Sequence, residues 1–328
     1  MQMTTVYTIG EALIDFIPAS KGVELKNVES FTKAAGGAPA NVACAVAKLG
    51  GHAAFIGKLG ADAFGEFLVD KMAASSVDVS RVLRTNEANT ALAFVSLRED
   101  GDRDFSFYRN PSADMLLHED EISGDWFEKG DLLHFCSVDL IEAPVKYAHR
   151  KAIELAREAG AVISFDPNVR LPLWPDKESC RRVIHEFLPL SHIVKISDEE
   201  LAFITGIADE KTAISSLFVG DVQHVIYTRG AAGATWFSRG GLEVSVPGNR
   251  VDVADTTGAG DSFIGALLYQ AQMMPQWLEQ LEQVDRKQVE ELLKFANAAA
   301  AITASRPGAI DALPSLHDVE TFLEREEN

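Results

Sequence analysis

Cysteine is scarce. Cys44, Cys136 and Cys180 are the three in 328 residues, far apart and odd in number. With no CxxC pair and no Cys/His cluster, the chain is expected to hold neither structural zinc nor a disulfide framework. Basic residues are also short, 30 Lys and Arg against 49 Asp and Glu, for a formal net charge of −19. Nucleic acids and anionic membrane surfaces both need a basic field, so neither is expected as a partner. An anionic small substrate stays open, provided that its cations are gathered locally. Long apolar runs are missing too, since the alanine-rich stretch Ala296 to Ala304 is too short to cross a bilayer. Residues Met1 to Gly10 lack a basic start followed by a long apolar run. They read as a first strand rather than a signal peptide, and the cytoplasm is the expected location.

What the chain does have is length and rhythm. With 47% hydrophobic residues over 328 positions, it can bury most of its unfolded surface. One large domain over residues 1–328 with a small appendage is expected rather than two equal halves. Apolar runs at Val6–Ile9, Ala54–Ile56, Leu132–Cys136, Ala161–Phe165, Ile193–Ile196 and Val225–Thr228 read as strands. They alternate with helix-period segments at Pro39–Leu49, Phe64–Ala74, Pro144–Ala159 and Lys177–Leu188, and two long helices follow at Gly260–Ala271 and Arg286–Ser305. This is the pattern of an α/β fold with a mostly parallel sheet covered by helices. Two regions break it. Phe16–Phe31 shows no helix period, and Thr90–Arg98 with Asp104–Tyr108 alternates like a hairpin turned at residues 99–103. Strands from about 11–35 and 90–110 are therefore expected to form a small sheet, either a lid over a cleft or an ordinary edge hairpin.

The most informative segment is Asp255-Thr256-Thr257-Gly258-Ala259-Gly260-Asp261, set just before an apolar helix. Small residues at that place let several backbone amides converge on one point, and the helix end adds partial positive charge. Such a site suits the charge that develops on a phosphoryl group in transfer. Asp261 stands where a carboxylate can take the proton of an attacking hydroxyl, although a capping role for Asp255 or Asp261 would account for the same residues. Gly258 and Gly260 lack the third glycine of a dinucleotide fingerprint, since position 263 is Phe263. Gly57-Lys58 lacks the flanks of a Walker loop, and His185-Glu186 meets Pro189 where a zinc protease needs histidine.

A second cluster lies near the amino terminus. Gly36-Gly37-Ala38-Pro39-Ala40-Asn41 places a glycine pair before a helix that opens with proline, allowing close approach of a ligand to backbone. Asn41 can donate to and accept from a sugar hydroxyl, and Asp15 can accept from two neighbouring hydroxyls. Asp166-Pro167-Asn168-Val169-Arg170 follows a strand, at the carboxyl edge where open α/β sheets bind ligands. Arg170 is a candidate for contact with sugar or transferred phosphate, and Asn168 for orienting the phosphate side.

Asp255–Asp261 closely resembles the carboxy-terminal signature of the ribokinase-like sugar kinases, the phosphofructokinase B family, and Gly36–Ala43 resembles its amino-terminal signature. The likeness runs from Gly10 to about Pro314, with the motifs in the family's order. It implies a three-layer α/β/α sandwich with a small β-sheet lid, ATP and Mg2+ as cofactors, and a monovalent cation, K+. By the resemblance Asp261 is the catalytic base and Gly258, Ala259 and Gly260 form the anion hole. Asp15 anchors the sugar. Asp255 and Thr257, with carbonyls near Thr303, Arg306 and Gly308, hold the monovalent cation. Lys195–Glu200 lies where relatives carry an Asn-x-x-Glu motif that acts on magnesium and phosphate through water. Glu200 matches its acid and Ser197 replaces its Asn, and a capping serine with first-turn acids fits the same residues. Thr228, Gly230 and Gly233 resemble the nucleotide-side loop, and Asn297 stands where relatives meet adenine.

Phe107–Leu117 and Asp166–Pro175 resemble the fructokinase branch in particular. The implied reaction is transfer to a primary hydroxyl of fructose, with Phe107 or Tyr108 against the sugar's apolar face and Arg109 reaching across from the lid. A Tyr108/Arg109 clamp above Arg170 could instead hold the carboxylate of 2-keto-3-deoxygluconate. Ribokinase and nucleoside kinase activities are less favoured. An inactive sugar-binding regulator conflicts with the intact Gly-Ala-Gly-Asp, and a dehydrogenase with the missing glycine fingerprint. Lid sheets in the family often pair, which implies a homodimer.

Overall fold

The structure, a computed structural model, describes residues 4–18, 22–97, 103–274 and 285–326. Its elements in chain order are β1 (Val6–Ile9), β2 (Leu13–Pro18), β3 (Phe31–Gly36), α1 (Ala38–Lys48), β4 (Ala53–Gly60), α2 (Ala63–Ala74), β5 (Val82–Thr85), β6 (Leu92–Leu97), β7 (Arg103–Tyr108), β8 (Leu132–Cys136) and α3 (Pro144–Ala159). They continue with β9 (Val162–Asp166), α4 (Lys177–Phe187), β10 (Ile193–Ser197), α5 (Asp198–Thr205), α6 (Glu210–Ser216), β11 (His224–Thr228), β12 (Ala234–Ser238), β13 (Glu243–Val246), α7 (Ala259–Gln272), α8 (Arg286–Ala304) and α9 (Leu316–Glu326). The turn expected at residues 99–103 lies outside the described residues except for Arg103, which begins β7.

Nine strands form the main sheet in the order β13-β12-β11-β10-β9-β8-β1-β4-β5. From β11 to β5 all neighbours are parallel, and the β11-β12-β13 edge is antiparallel. The interior parallel strands are largely apolar and buried (Leu132–Cys136 and Val162–Asp166 wholly so), because helices cover both faces, whereas the edge strand β5 is only partly buried. One core joins the sheet to α1, α7 and α8, and the other joins it to α3, α4, α5 and α6. This is the parallel sheet covered by helices that the alternating pattern implies, and the three-layer sandwich that the family resemblance implies. The antiparallel β12 and β13, the edge strand β5 and the helices α6 and α9 are additions that the sequence reading did not assign.

A separate four-stranded sheet runs in the order β3-β2-β6-β7. Its β2–β3 and β6–β7 pairs are antiparallel, and β2–β6 is parallel. Alternation along these strands gives two faces. Leu13, Asp15, Ala93 and Phe107 lie on one, while Phe16, Phe94 and Tyr108 lie on the other.

The strand order reverses at β1. The chain steps outward to β4 and β5 on one side and to β8, β9, β10 and β11 on the other. A reversal of this kind opens a crevice at the carboxyl ends of the strands. The loops after β1, β8, β9, β10 and β11 all open there.

Candidate active site

Two cavities meet over that crevice. The first, of about 350 Å³, is walled by the carboxyl ends of β9 and β10, the start of α1, the tip of α7, and Leu13, Asp15 and Phe107 from the small sheet. The second, of about 540 Å³, lies between the loop after β11, the 248–253 segment and α8. Thr256 and Gly260 line both, so they join at the start of α7.

Asp261 sits at this junction, buried at 8% exposure. Gly258, at φ 75°, is the helix N-cap and makes a left-handed turn that favours glycine. The Ala259 amide is spent inside the turn, on the Thr256 carbonyl at 3.2 Å. This corrects the expected trio of amides. Within the Gly258–Asp261 turn, the amides of Gly258, Gly260 and Asp261 have no protein acceptor among the described residues, and first-turn amides of this kind can receive an anion. Lys195 is close by, as a Cβ placed on Gly260 would lie 3.5 Å from its Nζ.

Asn41 Nδ2 donates to Asp261 Oδ2 at 2.8 Å across 220 residues of sequence. Close packing of α1 on α7 makes this possible, since a Cβ on Gly265 would stand 2.6 Å from that of Ala45. Burial pushes the Asp261 carboxyl above its ordinary range, while the Asn41 hydrogen bond and the charges of Arg170 and Lys195 pull it back. The other Asn41 atom, Oδ1, is buried without a protein partner.

Asp166, at the end of β9, pairs with Lys195 of β10 at 3.0 Å. Burial holds Asp166 up at about 7 although Lys195 pulls it down. Burial works against the charge of Lys195 as well, but Asp166, Glu200 and Asp261 together raise its pKa. Asn168 turns through a positive φ of 43° and Arg170 lines the cavity from an exposed position. Glu200 closes a capping box with Ser197, which donates its amide to Glu200 Oε2 at 2.9 Å. The other oxygen, Oε1, accepts from the Val169 amide at 2.8 Å. Glu200 thus caps α5 and fixes the 166–170 turn while lining the cavity. Lys195 and Glu200 stand in the first cavity, and Thr228, Gly230, Gly233 and Asn297 in the second. There the Asn297 side-chain nitrogen donates to the Pro247 carbonyl at 3.1 Å.

Gly36 lines neither cavity. Its place opposite Leu13 leaves room for a neighbour instead, since a Cβ there would sit 2.1 Å from Asp15 Oδ2. Arg109 does not enter the cleft either. It is buried, with Nη2 bonded to Asp114 and to Asp139. Tyr108, 62% exposed, is on the far face of the small sheet. Neither the reach of Arg109 across the cleft nor the alternative Tyr108/Arg109 clamp is assembled, because strand alternation turns Tyr108 outward and two carboxylates hold Arg109 inside. Asp255 accepts from the Thr257 amide and hydroxyl at 2.8 and 2.7 Å and from the Gly308 amide at 3.2 Å, which brings 255–257 against the 303–308 segment. Thr303 is buried, its hydroxyl on Ser262 and its carbonyl accepting from the Arg306 amide. The Arg306 side chain turns to Asp318. Sequence reasoning gave no role to Glu11, which lines the first cavity, or to the 249–253 segment, which lines the second. Neither carries a motif of its own.

Fold and site define an enzyme in which a buried carboxylate and a set of helix-tip amides face each other between two adjoining cavities. The chain belongs to the pfkB family of carbohydrate kinases, whose model matches residues 3–316. It is 45% identical over 324 residues to probable fructokinase-4 of Arabidopsis thaliana, covering 98% of this chain and 97% of that one. It is also 45% identical over 320 residues to fructokinase-1 of Oryza sativa subsp. japonica, covering 97% of each. Among solved structures it is similar to the fructokinase of Xylella fastidiosa with bound ATP, with a TM-score of 0.88, 36% identity and 99% of each chain covered. The fructokinase of Vibrio cholerae O395 bound to fructose, ADP and calcium aligns with a TM-score of 0.86 at 34% identity, over 98% of this chain and 99% of that one. No helix among the described residues is long and apolar enough to cross a membrane.

Proposed function

We propose that the protein is an ATP-dependent fructokinase, transferring the γ-phosphoryl group of ATP to O6 of fructose. The observation that carries this reading is the position of Asp261 at the junction of two cavities, beside amides with no protein acceptor. In this reading the first cavity takes the sugar. Asp15 and Asn41 hold its hydroxyls and Phe107 covers its apolar face, so that the primary hydroxyl points at Asp261. The second cavity takes the nucleotide, with Thr228, Gly230, Gly233 and Asn297 along its wall. Asp261 accepts the hydroxyl proton as the oxygen attacks, and the amides of Gly258, Gly260 and Asp261 with Lys195 and Arg170 receive the charge on the migrating group. Proximity supplies much of the acceleration, because both reactants are held at one junction.

Magnesium on the ATP phosphates would supply charge neutralisation. Both Glu200 oxygens already accept from Val169 and Ser197, which fits an influence through water better than direct ligation. The Asp255 carboxylate, with carbonyls of the 303–308 segment that the Gly308 bond draws beside it, would offer the all-oxygen kind of site that suits a hard monovalent cation such as K+. Residues 1–328 act as one kinase domain in the cytoplasm, with the small sheet, drawn from about 11–35 and 90–110, as a lid. The row of Phe31, Phe16, Phe94 and Tyr108 on its outer face supports pairing of two lids in a homodimer.

The test is ADP release measured with ATP and a panel of fructose, ribose, 2-keto-3-deoxygluconate and a nucleoside. Turnover with a kcat/KM for fructose well above the others is expected. Preference for the keto acid, or no turnover with any sugar, would overturn the reading.

A further inference from the structure

Arg109 leaves the lid just after β7 and is buried among three carboxylates from separate parts of the chain. Its Nη2 bonds Asp114, in the segment that follows, and Asp139, just beyond β8. Glu11, in the passage from β1 to β2, interacts with the same guanidinium. All four side chains are at most 8% exposed. Glu11 lines the sugar cavity and accepts from the Ala38 amide through Oε1 at 3.0 Å. That amide is the first of α1 and, as a first-turn amide, has no acceptor within the helix, so it must find one elsewhere. Glu11 therefore caps α1 from 27 residues away in sequence, and α1 carries Asn41, bonded to Asp261. The crossings between lid and body converge here: Glu11 between β1 and β2, Ala38 after β3, and Arg109 after β7. The Ala113 amide adds a bond to the Asn89 carbonyl, before β6, at 2.8 Å.

We propose that Glu11 is a positioning residue for the sugar substrate, setting the Gly37–Asn41 turn through the Ala38 amide, and that Arg109 acts on the sugar through Glu11 rather than by contact. This rests on the sugar-kinase reading of the site. Burial raises the Glu11 carboxyl against the pull of Arg109, and what the Ala38 amide requires is an oxygen held at that place.

Steady-state kinetics of Glu11→Ala, Glu11→Gln, Arg109→Ala and the Glu11→Ala/Arg109→Ala double variant test this. Wild-type turnover of fructose decides the proposed function, whereas comparison with wild type on whichever sugar it phosphorylates decides the positioning role. Glu11→Ala is expected to raise the sugar KM about tenfold, the scale of one hydrogen bond, with the ATP KM changed less than about twofold. Glu11→Gln keeps an oxygen for Ala38 and should return the sugar KM to within about threefold of wild type. The double variant should bind sugar no worse than Glu11→Ala, because both changes break one chain of contacts. Equal rises in both KM values, a Gln variant as impaired as Ala, or multiplying effects in the double variant would each overturn the proposal. If Arg109→Ala does not fold, the contrast between Gln and Ala at position 11 decides.

Discussion

Asp261 shows how one side chain is prepared by its surroundings. A carboxylate in water is a weak base, and burial strengthens it by disfavouring the charged form. Asn41, Arg170 and Lys195 pull in the opposite direction, so the group stays ionisable while remaining a better proton acceptor than a free carboxylate. Asp261→Asn keeps the shape and the contact with Asn41 but removes the basic oxygen. It should lower kcat at least ~10²-fold with little change in the affinity for fructose measured by calorimetry. Turnover close to normal would remove Asp261 from the base role. The sign of the pH effect follows from the same contacts. The base works when deprotonated, so activity should fall on acidification through a pKa above the ordinary carboxylate range. Arg170→Gln takes away one of the downward pulls, and the acid limb of the kcat/KM profile should then move to higher pH. A limb that stays in place would show that Arg170 does not sense Asp261.

Two helix starts control the site at the level of elements. α7 begins at a glycine with φ 75°, and a Cβ there would meet the Ala309 Cα at 3.3 Å. Gly258→Ala should cost roughly 1–2 kcal/mol, the price of a left-handed turn with a side chain. It should also reduce kcat by about 10²-fold through misdirected amides. Thermal unfolding and turnover measured on the same sample separate the two effects, and a fully active variant would show that the turn does not serve the phosphoryl group. α5 begins at Ser197, where a capping box of local origin reaches out to hold Val169. A structural cap and a wall of the active site are here the same residue, Glu200.

For the molecule as a whole, the small sheet is set apart by its two faces. The one toward the cavity carries Asp15 and Phe107, and the other carries an aromatic row ending in exposed Tyr108. Within that row Tyr108 is the exposed member, while Phe16 packs edge-on against Phe64 of α2, so Tyr108 is where pairing of two such sheets would be felt. If two lids pair there, light scattering coupled to size exclusion should give twice the chain mass of 35.6 kDa, and Tyr108→Asp should shift it toward the monomer. A wild-type monomer at micromolar concentration would refute the pairing.

The alternation of apolar runs and helix-period segments was readable along the chain because each element's burial is written in its own few residues. That is why β1, β8, β9, β10, β11 and α3 lie within a residue of where periodicity puts them. The glycine-rich turns were legible for the same reason, since a left-handed φ leaves a local mark at Gly258. Contacts between distant segments leave no such mark. The bond from Asn41 to Asp261 depends on how closely two helices cross. The withdrawal of Arg109 from the cleft depends on Asp139 arriving from the turn after β8, and the capping of α1 by Glu11 depends on the passage from the main sheet to the small one. Residue type and spacing carry the local conformational preference, whereas the pairing of charges and amides far apart in the chain is settled by packing, where burial makes each unpaired group costly.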